Sequence, residues 1–146
     1  SDASINAVNT VLSLSPESTV RGAIWMQGER DAMDAATELD YTNNLIAFWN
    51  NLKANINTTV GTTADDVAKM RLIVCGMVPG WVAADVNRQP VADAHTNIGA
   101  NITRSAYASS AAYTGAGAQV HFLTSELNSF GYNEVFDAWN AAGLNV

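Results

Sequence analysis

The chain has 146 residues, 48% hydrophobic and 14% charged, enough for one domain with a core of ordinary size. Fourteen acidic residues against seven basic ones leave a net charge of −7 with no Lys/Arg cluster, which argues against a nucleic-acid partner. No apolar run approaches the roughly 20 residues of a membrane span, so no membrane partner is expected either. The single cysteine, Cys75, rules out an intrachain disulfide framework, and inside "LIVCGMV" it reads as a small buried hydrophobe. Two histidines and that cysteine, in three separate segments, are too few for a structural zinc site; no metal or cofactor is expected. No secretory signal is visible, but a chain opening on Ser1-Asp2 need not begin where its gene begins.

In "DASINAVNTVLSL", residues 2–14, Ile5, Val8 and Leu12 recur at helical spacing until Pro16 ends the pattern. "TVRGAIWM", 19–26, predicts a short buried strand, followed by a site-like turn over 27–36. In 39–56 a strong helix follows, with Tyr41, Leu45, Phe48, Leu52 and Ile56 on one face and Trp49 alongside. Residues 57–66 read as a polar loop, and "MRLIVCGMV", 70–78, as a second buried strand. "PGWVAADVNRQ" is turn chemistry, and Pro90 suits the first position of a helix through about Ile102. The Gly/Ala-rich 107–119 reads as a loop with one short strand. A last helix begins near Thr124, with Thr124 or Ser125 as N-cap and Leu127, Phe130, Val135 and Trp139 as apolar positions. Helices alternating with strands predict parallel pairing with crossovers, hence an α/β sandwich.

Open parallel sheets carry ligands at the carboxyl ends of their strands, and "IWMQGERD", 24–31, runs from β-formers straight into Gln27, Gly28 and Glu29 at that edge. A histidine oriented by a carboxylate is the general-base half of a nucleophilic triad, which His121 and Glu29 would supply. Gln27 offers a side-chain N–H, and Gly28 a backbone N–H with no Cβ in the way, to a developing oxyanion. The residues alone also allow a plainer reading. His121 in "QVHFL" would be a hydrogen-bonded structural residue, and Gln-Gly-Glu a βα turn whose carboxylates favour the next helix's N-terminus.

"GAIWMQGERDA" followed by "YTNNLIAFWNNL" resembles the SGNH hydrolase superfamily, in its sialate O-acetylesterase and acetylxylan esterase branch. "QVHFLTSELNSFGYNEVFDAW" looks like the end of the same fold, and "RLIVCGMVPGW" matches an intervening strand and loop in kind. The resemblance spans roughly residues 5 to 140, with its specific content at 24–32 and 120–131. It implies a three-layer α/β/α sandwich around a parallel sheet, of SGNH or flavodoxin-like type. It also implies an esterase acting on O-acetyl groups of a glycan by a Ser-His-acid mechanism. His121 then matches the catalytic base, Glu29 the triad acid, and Gln27 and Gly28 the oxyanion-hole block. Asp31 is expected to support the turn by bonding backbone N–H groups, and Trp25 to lie in the core beneath the site.

Two departures shape the expectation. Many members of the superfamily carry an Asp three residues before the histidine, where this chain has Ala118, leaving Glu29 as the acid. The Gly-Asp-Ser or Gly-Gln-Ser nucleophile block and the Gly of the second block have no counterpart; Ser1 and Ser4 stand before a helix without a preceding strand. Residues 1–146 are therefore expected to form the C-terminal portion of a single SGNH-like domain. Its serine would come from a preceding segment or second chain that completes the sheet along an apolar edge. The alternative is a catalytically degenerate module that binds glycans or serves assembly, for example on a virion or cell surface. The Lys-poor, Asn/Thr/Ala-rich composition favours an extracellular, periplasmic or virion-borne setting.

Overall fold

The clearest apolar run of the sequence becomes the central strand of a three-stranded parallel sheet. The computed structural model describes residues 2–115 and 119–144. In chain order it runs α1 (Asp2–Leu14), β1 (Gly22–Trp25), α2 (Glu29–Met33), α3 (Glu38–Asn55), α4 (Ala64–Ala68), β2 (Arg71–Cys75) and α5 (Pro79–Ala83). A 3-10 turn at Val86–Arg88 leads to α6 (Gln89–Thr96), α7 (Ile98–Asn101), β3 (Ser105–Ala108) and α8 (Thr124–Phe130). A π-helical turn at Gly131–Val135 then joins α8 to α9 (Phe136–Leu144). No helix among the described residues is long and apolar enough to cross a membrane.

The strands lie in the order β1–β2–β3, with Ala23 opposite Leu72 and Leu72 opposite Ser105. Because side chains alternate along a strand, this register sends Ala23, Trp25, Leu72, Val74 and Tyr107 to one face and Ile24, Ile73, Cys75, Ala106 and Ala108 to the other. The first face is buried under α1, α3, α6 and α7 through Leu12, Leu45, Trp49, Val91 and Ile98. The second is covered by Phe130, Ala138 and Ala142 of α8 and α9. The result is the α/β/α layering that the alternation of helices and strands predicts.

Cover on the second face is uneven. Arg71 ties β2 to α9, donating to the Trp139 carbonyl at 3.0 Å and lying over its indole. Ile73 is wholly buried, yet Ile24, its register partner on β1, is 57% exposed. Among the described residues β1 pairs with β2 alone, so it is an outer strand.

Several boundaries differ from the sequence reading. The strands are shorter than 19–26 and 70–78, their flanking residues turning into the loops of the sheet edge. The polar loop at 57–66 ends inside α4, where the Thr63 hydroxyl accepts from the Asp66 N–H at 3.1 Å and the Asp66 carboxylate from the Thr63 N–H at 3.0 Å. The turn at 79–88 contains α5. The helix expected over 90–102 starts at Gln89 and breaks at Asn97 into α6 and α7. The N-cap of α8 is Leu123, not Thr124 or Ser125, because the Glu126 carboxylate reaches back to the Leu123 N–H at 3.0 Å.

Candidate active site

Loops leaving β1, β2 and β3 form the carboxyl edge of the sheet, where an open parallel sheet places its ligands. Leaving β1, the chain passes Met26 and exposed Gln27 to reach buried Gly28. Gly28 has φ 153° and ψ −12°, a conformation only glycine adopts without strain, and a Cβ there would lie 2.7 Å from His95 Nε2 and 3.2 Å from the Tyr41 oxygen. Its carbonyl accepts the Ala32 N–H at 2.9 Å, which starts α2. Its own N–H has no partner among the described residues.

Tyr41 and His95 lie under this turn. The Tyr41 hydroxyl donates to the Gln27 carbonyl at 2.9 Å and accepts the Trp25 indole N–H at 2.9 Å, while His95 Nε2 stands 2.8 Å from the same oxygen. A hydroxyl has one proton. With that proton on the Gln27 side, His95 must be the donor, as the Nε2–H tautomer. His95 Nδ1 is buried without a hydrogen-bond partner, as this tautomer leaves it. Burial pushes the His95 imidazole down from 6.5 to about 4, against the opposing pull of the Cys75 and Gln27 carbonyls. Burial likewise raises the Tyr41 hydroxyl above its ordinary value, opposed by the Trp25 hydrogen bond and helped by the charges of Asp31 and Glu29. Sequence reasoning took Tyr41 for an apolar core position and gave His95 no role. The available signal was a tyrosine on a buried face, whose hydroxyl needs a partner.

The depressed His95 value gives a pH dependence with a definite sign. Between pH 6.5 and about 4 the unfolded chain binds a proton that the native fold refuses, so stability falls as pH drops through that window. The full span corresponds to about 3 kcal/mol. Urea midpoints of the wild type are expected to decline between pH 7 and pH 4.5 more steeply than those of His95→Gln. Parallel declines would contradict a neutral, buried His95.

Glu29 and Asp31 are half-buried at the start of α2, and neither carboxylate forms a hydrogen bond or ion pair among the described residues. The backbone bonds expected to engage Asp31 do not form. The Ala32 N–H goes to Gly28, and the Asp34 N–H to Arg30, because α2 consumes them itself. Trp25, expected in the core, is partly buried and packs against it, 4.8 Å from the Phe48 ring.

Leaving β2, the Gly76 N–H extends the ladder to the Ala108 carbonyl at 2.9 Å, and the Ser110 hydroxyl donates to the Met77 carbonyl at 2.6 Å. Gly76 lets the strands close here, since a Cβ would overlap the Ser110 hydroxyl and stand 2.5 Å from that of Tyr107. A cavity of about 310 Å³ opens between these two loops, with His95, Tyr107 and Ser110 in its wall.

His121 is exposed in the segment leading into α8. Val120 and Phe122 on either side pack against the core, Phe122 stacking on Phe130 at 5.5 Å. The Glu126 carboxylate clamps the loop, accepting N–H groups from Gly115 at 3.1 Å and Leu123 at 3.0 Å, and Gly115 in turn sits close to Val78 of the β2 loop. No direct hydrogen bond or ion pair joins His121 to Glu29 or Asp31. Ala118, noted for the acid it lacks, lies outside the described residues, as does Ser1.

No serine among the described residues bonds a histidine. Ser105 donates to the Ile102 carbonyl at 2.6 Å, Ser110 is committed to Met77, Ser109 accepts from Ala111, and Ser4 is exposed on α1. Burial pushes the Cys75 thiol up to about 12, which keeps it a thiol and a poor nucleophile at neutral pH. The β1 loop thus carries an unengaged N–H and two carboxylates without hydrogen-bond partners among the described residues, and the segment before α8 carries an exposed imidazole.

A parallel α/β/α sheet whose outer strand runs into Trp-Met-Gln-Gly-Glu, and whose last loop carries His-Phe, defines an SGNH-like esterase domain. The family described as carbohydrate esterase, sialic acid-specific acetylesterase matches residues 5–135, and the chain belongs to that family. No curated protein and no solved structure matches the chain.

Proposed function

We propose that this chain supplies the base, the acid and the oxyanion-hole donors of a serine esterase that removes O-acetyl groups from a glycan. The reading rests above all on Gln27-Gly28-Glu29 standing at the carboxyl end of β1, with the Gly28 N–H unengaged, in a chain of a carbohydrate esterase family. A serine hydroxyl attacks the acetyl carbonyl while His121 takes its proton, and Glu29 steadies the imidazolium that forms. The carbonyl oxygen, now negative, accepts from Gly28 N–H and the Gln27 side chain. Collapse breaks the ester bond, the sugar oxygen leaves with the proton from His121, and water repeats the sequence on the acyl-serine to release acetate.

The serine comes, in this proposal, from a segment outside residues 1–146 whose strand pairs with the open edge of β1. Exposed Ile24 and Met26, at 57% and 45%, support a partner there, since pairing would cover both backbone edge and apolar surface. Acetate release from acetylated sugars and p-nitrophenyl acetate tests the reading. Residues 1–146 alone are expected to release none above background, and a longer form carrying an upstream strand and Gly-x-Ser block to be active. A longer form that binds glycans without releasing acetate would favour the degenerate binding or assembly module.

A further inference from the structure

Tyr41 of α3 and His95 of α6 are 54 positions apart and meet beneath the Gln27–Gly28 turn. Resting on the esterase reading above, we propose that they are positioning residues for its oxyanion donor: Tyr41 holds the Gln27 carbonyl, His95 holds Tyr41, and the pair thereby aims the Gly28 N–H.

The Gln27 carbonyl and the Gly28 N–H belong to one planar peptide unit and point in opposite directions, so anchoring the first orients the second. The anchor is itself anchored. Tyr41 oxygen receives the Trp25 indole N–H from the strand and the His95 imidazole from α6, and both approach at 2.9 Å or less. The imidazole also occupies the space where Gly28 lacks a Cβ, 2.7 Å from that point, and blocks rotation of the turn toward the core. A preorganised donor is what makes an oxyanion hole effective, because none of its orientation has to be acquired during reaction. A pair serving only to satisfy buried polar atoms would support the core at large; this one touches the turn at its carbonyl and at its glycine.

Nitrogen-15 spectra of wild-type residues 1–146 at pH 7 should show His95 protonated at Nε2 and bare at Nδ1. The opposite tautomer would overturn the proposal, since the Tyr41 proton would then go to Nε2 and leave the Gln27 carbonyl without its donor. Tyr41→Phe should lower the nitrogen-15 order parameter of the Gly28 amide and shift its resonance, with Ile73 and Val74 of β2 unchanged. No change at Gly28, or equal loosening throughout β2, would also overturn it. In a hydrolysing longer form, the same substitution should lower kcat by about tenfold at unchanged KM. An unchanged kcat would count against positioning. An inactive wild type would defeat the esterase reading and leave the spectra to decide this one.

Discussion

His121→Ala is expected to lower kcat for acetyl ester hydrolysis by on the order of 10³-fold or more in a form of the protein that carries its serine. In the proposed mechanism the imidazole takes the serine proton in acylation and water's in deacylation, so both halves of the reaction would lose their base. KM should change little, because His121, exposed before α8, is assigned in this proposal to the reacting atoms rather than to holding the sugar. Glu29→Gln should cost less, since an imidazole keeps much of its basicity without its carboxylate. Steady-state kinetics on p-nitrophenyl acetate check both. A loss under about tenfold for His121→Ala would place the base elsewhere.

Gly28→Ala is expected to cost about 2–4 kcal/mol of stability, one part from a backbone conformation closed to alanine and another from the methyl meeting His95. Neither part relaxes easily, because His95 is wholly buried and Tyr41 is fixed by three hydrogen-bonding groups. Thermal melting should show Tm lowered by roughly 10 °C. A shift within experimental error would mean that the turn can open away from the ring.

The layers of the fold were legible because they depend on local periodicity. The run around Leu72–Cys75 read as a buried strand, and the spacing of Tyr41, Leu45 and Leu52 on α3, with Ile56 at its C-cap, marked the face that the structure buries. Trp49, read as lying beside that face, is 1% exposed at its centre, while Phe48 is only partly buried. The α4 capping box was present in the sequence as Thr63 and Asp66 and was passed over within a polar stretch. The turn of the candidate site was legible at Gln27, Gly28 and Glu29, where strand residues give way to poor strand formers. Its support was not. The Tyr41–His95 pair joins two helices through tertiary packing, and no pattern along the chain relates positions 54 apart. Glu126 was hidden for a different reason: its carboxylate serves two loop amides, one of them, Gly115, far upstream of the helix it caps.

Labelling with a serine-directed fluorophosphonate, mapped by mass spectrometry, tests the central claim most directly. Residues 1–146 alone should remain unlabelled. The longer form should be labelled at one serine upstream of residue 1, with labelling strongly slowed by His121→Ala. Robust labelling within residues 1–146, at Ser1, Ser4, Ser105, Ser109 or Ser110, would contradict the account by showing that the nucleophile belongs to this chain. A longer form that resists the reagent altogether would contradict it by showing that no activated serine faces His121.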